Sequence, residues 1–340
     1  MGLFSFLTQE IAIDLGTANT IIIYNDKIVV DEPSIVAIDE PTGKVIAIGQ
    51  KARQMHGKTH MNIRTVRPLK DGVIADFHAA EQMIRGMIKM TYKGNRLFTP
   101  TLRMVVSIPS GSTEVEMRAV RDSSEHAGGR DVYMIYEPMA AALGIGIDVL
   151  APQGSMVVDI GGGTTEIAVI ALGGIVCFRS VRIAGDVFTT DIQNYMRHQH
   201  NLKIGERTAE DIKICAGSAL PDLEDGPPDY IVRGPNVLTG LPIEIPVSYP
   251  EIAHCLDKSI AKIEAELMRV LEQTPPELYT DIVQKGIYLA GGGALLRGFD
   301  KRLMDKINIP VYIAEDPLHA VARGSGIALK HLNDFNFLLR

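Results

Sequence analysis

Short apolar runs rich in β-branched residues, broken by turn residues, fill the start of the chain. Ile11–Ile13, Thr20–Tyr24, Lys27–Val30 and Ser34–Ile38 are separated by Gly, Asn-Asp and Glu-Pro, and predict successive strands. A helical pattern follows over Ala79–Tyr92 and another over Ser112–Ala127, which opens on a cap-like Ser112-Thr113-Glu114 cluster. Leu102–Ile108 between them is a buried-strand candidate. Residues 155–183 repeat the strand pattern of the opening. Helices are predicted over Val187–His200, Thr208–Ala216, Pro250–Glu272, Ala294–Lys306 and Ala320–His331, and a strand over Gly286–Ala290. The stretch 221–246 holds six prolines and reads as loop or edge strand. Strands alternating with helices predict an α/β fold with mixed sheets.

Length then sets the domain count. A chain of 340 residues exceeds what one core usually holds, so two domains are expected. No uninterrupted apolar run approaches the ~18–20 residues that a spanning helix needs. The net charge of −7 disfavours binding to nucleic acid, which calls for a basic face. Three cysteines, Cys177, Cys215 and Cys255, form no CxxC and read as reduced thiols. Residues 51–70 carry six Lys or Arg and no acid. They fit a solvated face of a small subdomain, or a contact surface for a partner or anionic lipid. The first ten residues lack the basic start of a secretory signal, yet Leu3, Phe4, Phe6 and Leu7 form a dense apolar patch.

Glycine is clustered, and the clusters carry the chemistry. Asp14-Leu15-Gly16-Thr17-Ala18-Asn19-Thr20 and Asp159-Ile160-Gly161-Gly162-Gly163-Thr164-Thr165 share one plan: apolar strand, Asp, Gly-rich turn with hydroxyls, second strand. Glycines permit close backbone approach, and successive N–H groups form a nest for phosphate oxygens. A strand-end carboxylate repels phosphate and suits a divalent cation instead; Mg²⁺ keeps several waters and takes one or two carboxylates. A single turn of this kind could be an ordinary β-turn, but the unit occurs twice. A second repeat, A-x-G-x-G-I, occurs at Ala142–Ile147 and Ala322–Ile327 in helical stretches. Glycine there costs roughly 1 kcal/mol against alanine, so the expectation is a pair of helices crossing closely between the domains, where a hinge would lie. The third cluster, Gly291-Gly292-Gly293-Ala294-Leu295, follows a strand and suits a base or sugar against bare backbone. Glu210 and Lys213, spaced i, i+3, could reach ribose hydroxyls or form a surface ion pair. Two other nucleotide motifs fail. Gly57-Lys58-Thr59 has Ala52 where a P-loop needs Gly, and no GxGxxG follows a strand.

Together these features resemble the actin, sugar-kinase and heat-shock-chaperone ATPase superfamily. DLGTANT (14–20), EPSIVAI (32–38), RPLKDGVIADF (67–77), EPMAAALG (137–144), VDIGGGTTEIAV (158–169), GERTAEDIK (205–213) and LAGGGALLRG (289–298) are similar, in order and through nearly the whole chain, to the bacterial actin family MreB. The resemblance implies an actin-like ATPase fold of two duplicated domains, each with a large and a small subdomain, around a cleft for ATP and Mg²⁺. The first large subdomain would take 1–33, 77–146 and 319–340, with 34–76 as its small partner. The second would take 147–186 and 246–318, with 187–245. Glu137 would polarise the attacking water and Thr164 help to place it, and Asp14 and Asp159 would hold Mg²⁺ through water. The nucleotide would meet Gly16–Thr20, Gly161–Thr165, Glu210, Asp211, Ile212, Lys213 and Gly291–Leu295. Tyr136 and Cys215-Ala216 depart from the family pattern.

The resemblance further implies a homopolymer of paired protofilaments on the inner face of the plasma membrane. It would work with membrane proteins of cell elongation and peptidoglycan synthesis to maintain a rod shape. Leu3, Phe4, Phe6 and Leu7, with Leu97-Phe98, would touch lipid weakly per subunit, and avidity along a filament would multiply the effect. A metabolite kinase, a chaperone-type ATPase and a nucleotide-gated scaffold without turnover are the competing expectations.

Overall fold

The structure is a computed structural model that describes residues 8–91 and 101–340. Its first sheet begins as an antiparallel meander of β1 (Thr8–Leu15), β2 (Asn19–Tyr24) and β3 (Lys27–Pro33). A small sheet follows, made of β4 (Val36–Asp39), β5 (Lys44–Ile48) and β6 (Ile63–Val66), with α1 (Gln50–Met55) before β6. A two-residue ladder, β7 (Leu69–Lys70) and β8 (Val73–Ile74), leads to α2 (Phe77–Met90). Then come β9 (Thr101–Ile108), α3 (Glu114–His126), β10 (Gly129–Tyr136) and α4 (Glu137–Ile145). β9 lies parallel to β1, and β10 parallel to β9, giving the order β10-β9-β1-β2-β3.

The second half repeats the plan. β11 (Ser155–Ile160), β12 (Thr165–Ala171) and β13 (Gly174–Val181) form another antiparallel meander. Helices α5 (Gly185–Gln199) and α6 (Glu206–Ala216) and the hairpin β14 (Tyr230–Pro235)–β15 (Pro242–Val247) are inserted next. The chain returns through α7 (Tyr249–Gln273) and α8 (Pro276–Lys285) to β16 (Ile287–Ala290), α9 (Phe299–Ile307) and β17 (Val311–Ile313), and α10 (Ala320–Lys330) follows. β16 adds parallel to β11 and β17 parallel to β16, so the order β13-β12-β11-β16-β17 is the first sheet over again.

Side-chain alternation along the central strands shows how the layers stack. Ile11, Ile13 and Leu15 of β1 join Met83, Ile84 and Met87 of α2 in one core, while Ala12 joins α4 and α10 in another. On β11, Met156, Val158 and Ile160 pack with Ile260 and Ile263 of α7, while Val157 joins the same α4–α10 layer. Period-two alternation therefore gives each sheet an outer core and a share in one central layer.

That layer is where the repeated A-x-G-x-G-I segments meet. A Cβ on Gly144 would lie 1.9 Å from the Ala320 carbonyl oxygen, and one on Gly324 would lie 1.7 Å from that of Ala140. The first glycine of each repeat makes the crossing. The second does other work: Gly146 ends α4 in the left-handed region at φ 92°, and Gly326 faces Ile23.

Several elements differ from expectation. The helix predicted from Ala294 starts at Phe299, because Gly292–Leu295 forms a 3₁₀ turn and Gly298 is left-handed at φ 71°. The strand predicted from Gly286 starts at Ile287, with Gly286 capping α8. α8 was not foreseen. The proline-rich stretch contains the β14–β15 hairpin, with Pro235 opposite Pro242 at its end. The cap of α3 is a full capping box, with Thr113 receiving the Glu116 N–H and the Glu116 carboxylate reaching back to the Thr113 N–H.

The crossing is directly testable by denaturant unfolding. Gly324→Ala should cost about 1–3 kcal/mol, as overpacked cores do, although alanine is the better helix former. Gly146→Asn, with open space around a left-handed cap, should cost only the backbone strain at φ 92°, about 1 kcal/mol or less. Wild-type stability in Gly324→Ala would contradict the crossing.

Candidate functional site

A cleft of about 520 Å³ lies between the two halves. Its floor is made by the two Asp–Gly turns. Gly16, Thr17, Ala18 and Asn19 line it from the β1–β2 turn, and Gly161, Gly162, Gly163 and Thr164 from the β11–β12 turn. The turns abut: a Cβ on Gly162 would lie 2.7 Å from the Ala18 Cβ, and one on Gly163 2.6 Å from the Thr17 Oγ1. Only bare backbone lets them approach this closely. Each turn is braced from behind. Thr20 shares a 2.8 Å hydrogen bond with Ser34, whose hydroxyl donates to the Gly16 carbonyl. Thr165 donates to the Ile183 carbonyl at 2.6 Å. The hydroxyls of Thr20 and Thr165 are therefore spent on bracing, and neither residue lines the cleft, contrary to the sequence reading. The Thr17 hydroxyl accepts the Gly72 N–H at 3.1 Å, tying the loop between β7 and β8 to the same floor.

Four carboxylates gather beneath the turns. Asp14 ends β1, Asp159 ends β11, Glu137 opens α4 ahead of Pro138, and Glu166 lies on β12 opposite Asp159. The duplicated fold places Asp14 and Asp159 at equivalent strand ends. Burial pushes Asp14 up to about 6, against a 2.9 Å hydrogen bond from the Ser107 hydroxyl. Burial, with the charges of Asp14 and Glu166, pushes Asp159 up to about 8. Glu137 is held well above the usual carboxylate range by burial first, then by Glu166, Asp159 and Asp14. Asp159 Oδ1 is buried and has no hydrogen-bond partner. An orphaned, desolvated carboxylate oxygen beside two glycine turns fits a cation that brings its own water. Among the described residues no three His, Cys, Asp or Glu side chains converge as a complete ligand set. The arrangement therefore suits a hydrated divalent ion better than a protein-chelated one.

The far wall carries the third glycine cluster. Gly291, Gly292, Gly293 and Leu295 line the cleft, whereas Ala294 is fully buried in the core. Gly291 and Gly293 are needed on their hidden side as well, since a Cβ on either would strike Ile160 at the end of β11. On α6, Glu210 and Lys213 face the cleft and pair at 2.8 Å. Lys213 also donates to the Gly185 carbonyl and the Thr189 hydroxyl, so this is a braced wall rather than a surface pair. Burial would raise the Glu210 carboxyl, but Lys213 and Thr189 hold it below its ordinary value. Ile212 turns into the core and Asp211 does not line the cleft, so helical geometry separates these two from the expected ribose face.

Sequence reasoning missed the mouth. Arg53, His56 and Arg67 come from the basic stretch and line the cleft. Arg67 pairs with Asp186 at 3.1 Å and with Glu206 at 2.7 Å, and His56 meets Glu206 at 3.3 Å. The stretch is largely exposed, but its Arg67 and His56 also bridge the mouth of the cleft. The excess of cations over acids was the visible signal; their partners lie more than a hundred residues away. His319, also missed, lies between Asp31 and Asp316 at the rim. The apolar residues Leu3, Phe4, Phe6, Leu7, Leu97 and Phe98 lie outside the described residues. Among the described residues no helix is long and apolar enough to cross a membrane.

Comparison with known proteins accords with this geometry. A family model described as MreB/Mbl protein matches residues 8–336. The chain is 48% identical over 337 residues to the cell shape-determining protein MreB of Escherichia coli K12, covering 98% of this chain and 95% of that one. It is 46% identical over 327 residues to the cell shape-determining protein Mbl of Bacillus subtilis, covering 96% and 97%. A crystal structure of MreB5 of Spiroplasma citri bound to AMPPNP superposes with a TM-score of 0.89 at 38% identity, covering 96% and 97%. Sequence and overall fold agree over nearly the whole chain: the chain belongs to the MreB/Mbl family of actin-like cytoskeletal proteins that determine bacterial cell shape.

Proposed function

We propose that this protein is a slow ATPase that polymerises with ATP and Mg²⁺ into paired protofilaments on the inner face of the plasma membrane. There it directs cell-wall synthesis through membrane proteins of the elongation machinery and so maintains a rod shape. The observation that carries the nucleotide reading is the floor itself: two mutually packed glycine turns above buried carboxylates, one with an unpaired oxygen. The similar Spiroplasma citri structure, bound to AMPPNP, supports a nucleoside triphosphate as the ligand.

In this reading the turn amides of Gly16–Asn19 and Gly161–Thr164 receive the phosphate oxygens from two sides. Asp14 and Asp159 would hold Mg²⁺ through water, and the ion would supply neutralising charge to the phosphates. Glu137 and Thr164 orient a water toward the terminal phosphate. Phosphoryl transfer depends mainly on positioning and electrostatics, so one carboxylate with a raised proton affinity suffices to accept the water's proton. Glu210 and Lys213 face the sugar, and Gly291–Gly293 and Leu295 the base. The subdomain division at 34–76 and 187–245 belongs to the same reading, since each insertion supplies one lip of the cleft. Membrane attachment rests on family membership and on Leu3, Phe4, Phe6, Leu7, Leu97 and Phe98.

Three measurements bear on it. Sedimentation with electron microscopy should show filaments with Mg²⁺-ATP; a strictly monomeric protein at high concentration would end the cytoskeletal reading. Glu137→Ala should release phosphate about 100-fold more slowly than wild type, and equal rates would remove Glu137 from the chemistry. Asp159 gives a pH signature in the nucleotide-free, metal-free protein. Its carboxyl is raised in the folded state, so the folded protein binds the extra proton. Stability then falls as pH rises from about 4 toward about 8. Asp159→Asn should therefore melt higher than wild type at pH 8.5, with the difference closing as pH falls to 5. A difference independent of pH would contradict the buried charge.

A further inference from the structure

Glu166 is the one floor carboxylate that the reaction scheme leaves without a role. It is fully buried, does not line the cleft, and belongs to β12 of the second sheet. One of its oxygens accepts the hydroxyl of Ser180, its register partner on β13. The other accepts the backbone N–H of Ser110 at 3.0 Å. Ser110 belongs to the other half of the molecule, in the turn that ends β9. The bond therefore crosses between the two domains beneath the cleft. The contact around it is tight, since a Cβ on Gly111 would lie 3.1 Å from that of Ser180.

The turn that Glu166 holds is next to the chemistry. β9 pairs in parallel with β10 up to Ile108 opposite Tyr136, and Glu137 is the next residue. Three residues before Ser110, the Ser107 hydroxyl donates to Asp14. On the other side, Glu166 lies two residues beyond Thr164 on the same hairpin. One buried side chain thus joins the strand end beside Glu137 and Asp14 to the turn that carries Thr164. We propose that Glu166 is a positioning residue that couples domain closure to alignment of Glu137 with Thr164, through its hydrogen bond to the Ser110 N–H. Opening the domains withdraws Ser110, and the two water-orienting groups then lose their common reference. The proposal rests on the ATPase reading given above for the role of Glu137 and Thr164. The bond across the domains stands on its own.

Glu166→Ala and Glu166→Gln separate positioning from other roles. Glutamine keeps the geometry: its carbonyl oxygen can accept the Ser110 N–H and its amide nitrogen can donate to the Ser180 hydroxyl. In ATP turnover, Glu166→Ala should lose at least about 10-fold in kcat with KM for ATP within about 3-fold. A misplacement of about 1 Å is enough for such a loss. Glu166→Gln should recover to within about 3-fold of wild type. Wild-type kcat in the alanine variant, a rise in KM alone, or a glutamine variant as slow as alanine would each overturn the proposal. Amide hydrogen exchange at Ser110 supplies a readout that needs no turnover. Protection should drop in Glu166→Ala and persist in Glu166→Gln, and unchanged protection in Glu166→Ala overturns the bond. If the wild type releases no phosphate, the ATPase reading fails while this exchange result still decides the latch. Should Glu166→Ala not fold, Ser180→Ala removes one anchor of the carboxylate. It should lower kcat by about 3-fold at unchanged KM, and unaltered kcat would overturn the proposal.

Discussion

Buried negative charge on the floor of the cleft is the constraint around which this molecule is arranged. Asp14, Asp159, Glu137 and Glu166 gather where water is largely excluded, so burial raises the proton affinity of all four, and repulsion from neighbouring floor carboxylates adds to it at Asp159 and Glu137. Desolvated carboxylates are costly unless they are paired, hydrogen-bonded or matched by a cation. The protein satisfies some of that demand itself, through Ser107 on Asp14 and through Ser110 and Ser180 on Glu166. It leaves Asp159 Oδ1 unmatched. A fold that binds a hydrated cation and a polyphosphate there gains stability from the ligand that it lacks without it.

Duplication explains how the charges come together. Two sheets of equivalent order place an aspartate at the same strand end in each half. The α4–α10 crossing then brings the halves face to face, with Gly144 and Gly324 setting the approach. The halves are joined at two depths. At the mouth, Arg67 and His56 pair with Asp186 and Glu206 in partly exposed bridges, each worth roughly 0–1 kcal/mol and screened by salt. At the floor, the Glu166–Ser110 bond is buried and insensitive to such screening.

Much of this was legible in the sequence because it is written in local repeats. Asp-Gly-Thr turns, paired glycines in helices and a Gly-rich turn after a strand announce close backbone approach whatever the tertiary context. What escaped depends on partners distant in the chain. Arg67 looked like one cation in a basic stretch, since Asp186 and Glu206 are remote. Glu166 was not singled out, since burial on both sides of β12 shows only in three dimensions. Thr20 and Thr165 were assigned to the ligand because a hydroxyl in a turn does not declare whether it faces the cleft or braces the backbone. The start of α9 was misplaced for a related reason. Leu295 and Leu296 continue an apolar pattern through a segment that glycines at 291, 293 and 298 hold in a 3₁₀ turn.

If a cation and a polyphosphate complete the floor only together, thermal unfolding of the wild-type protein with ATP alone, Mg²⁺ alone and both will show it. Either component should give a small shift and the pair a much larger rise in Tm, because only the pair would match Asp14 and Asp159 while filling both turns. An equal rise with ATP in the presence of excess chelator would contradict it.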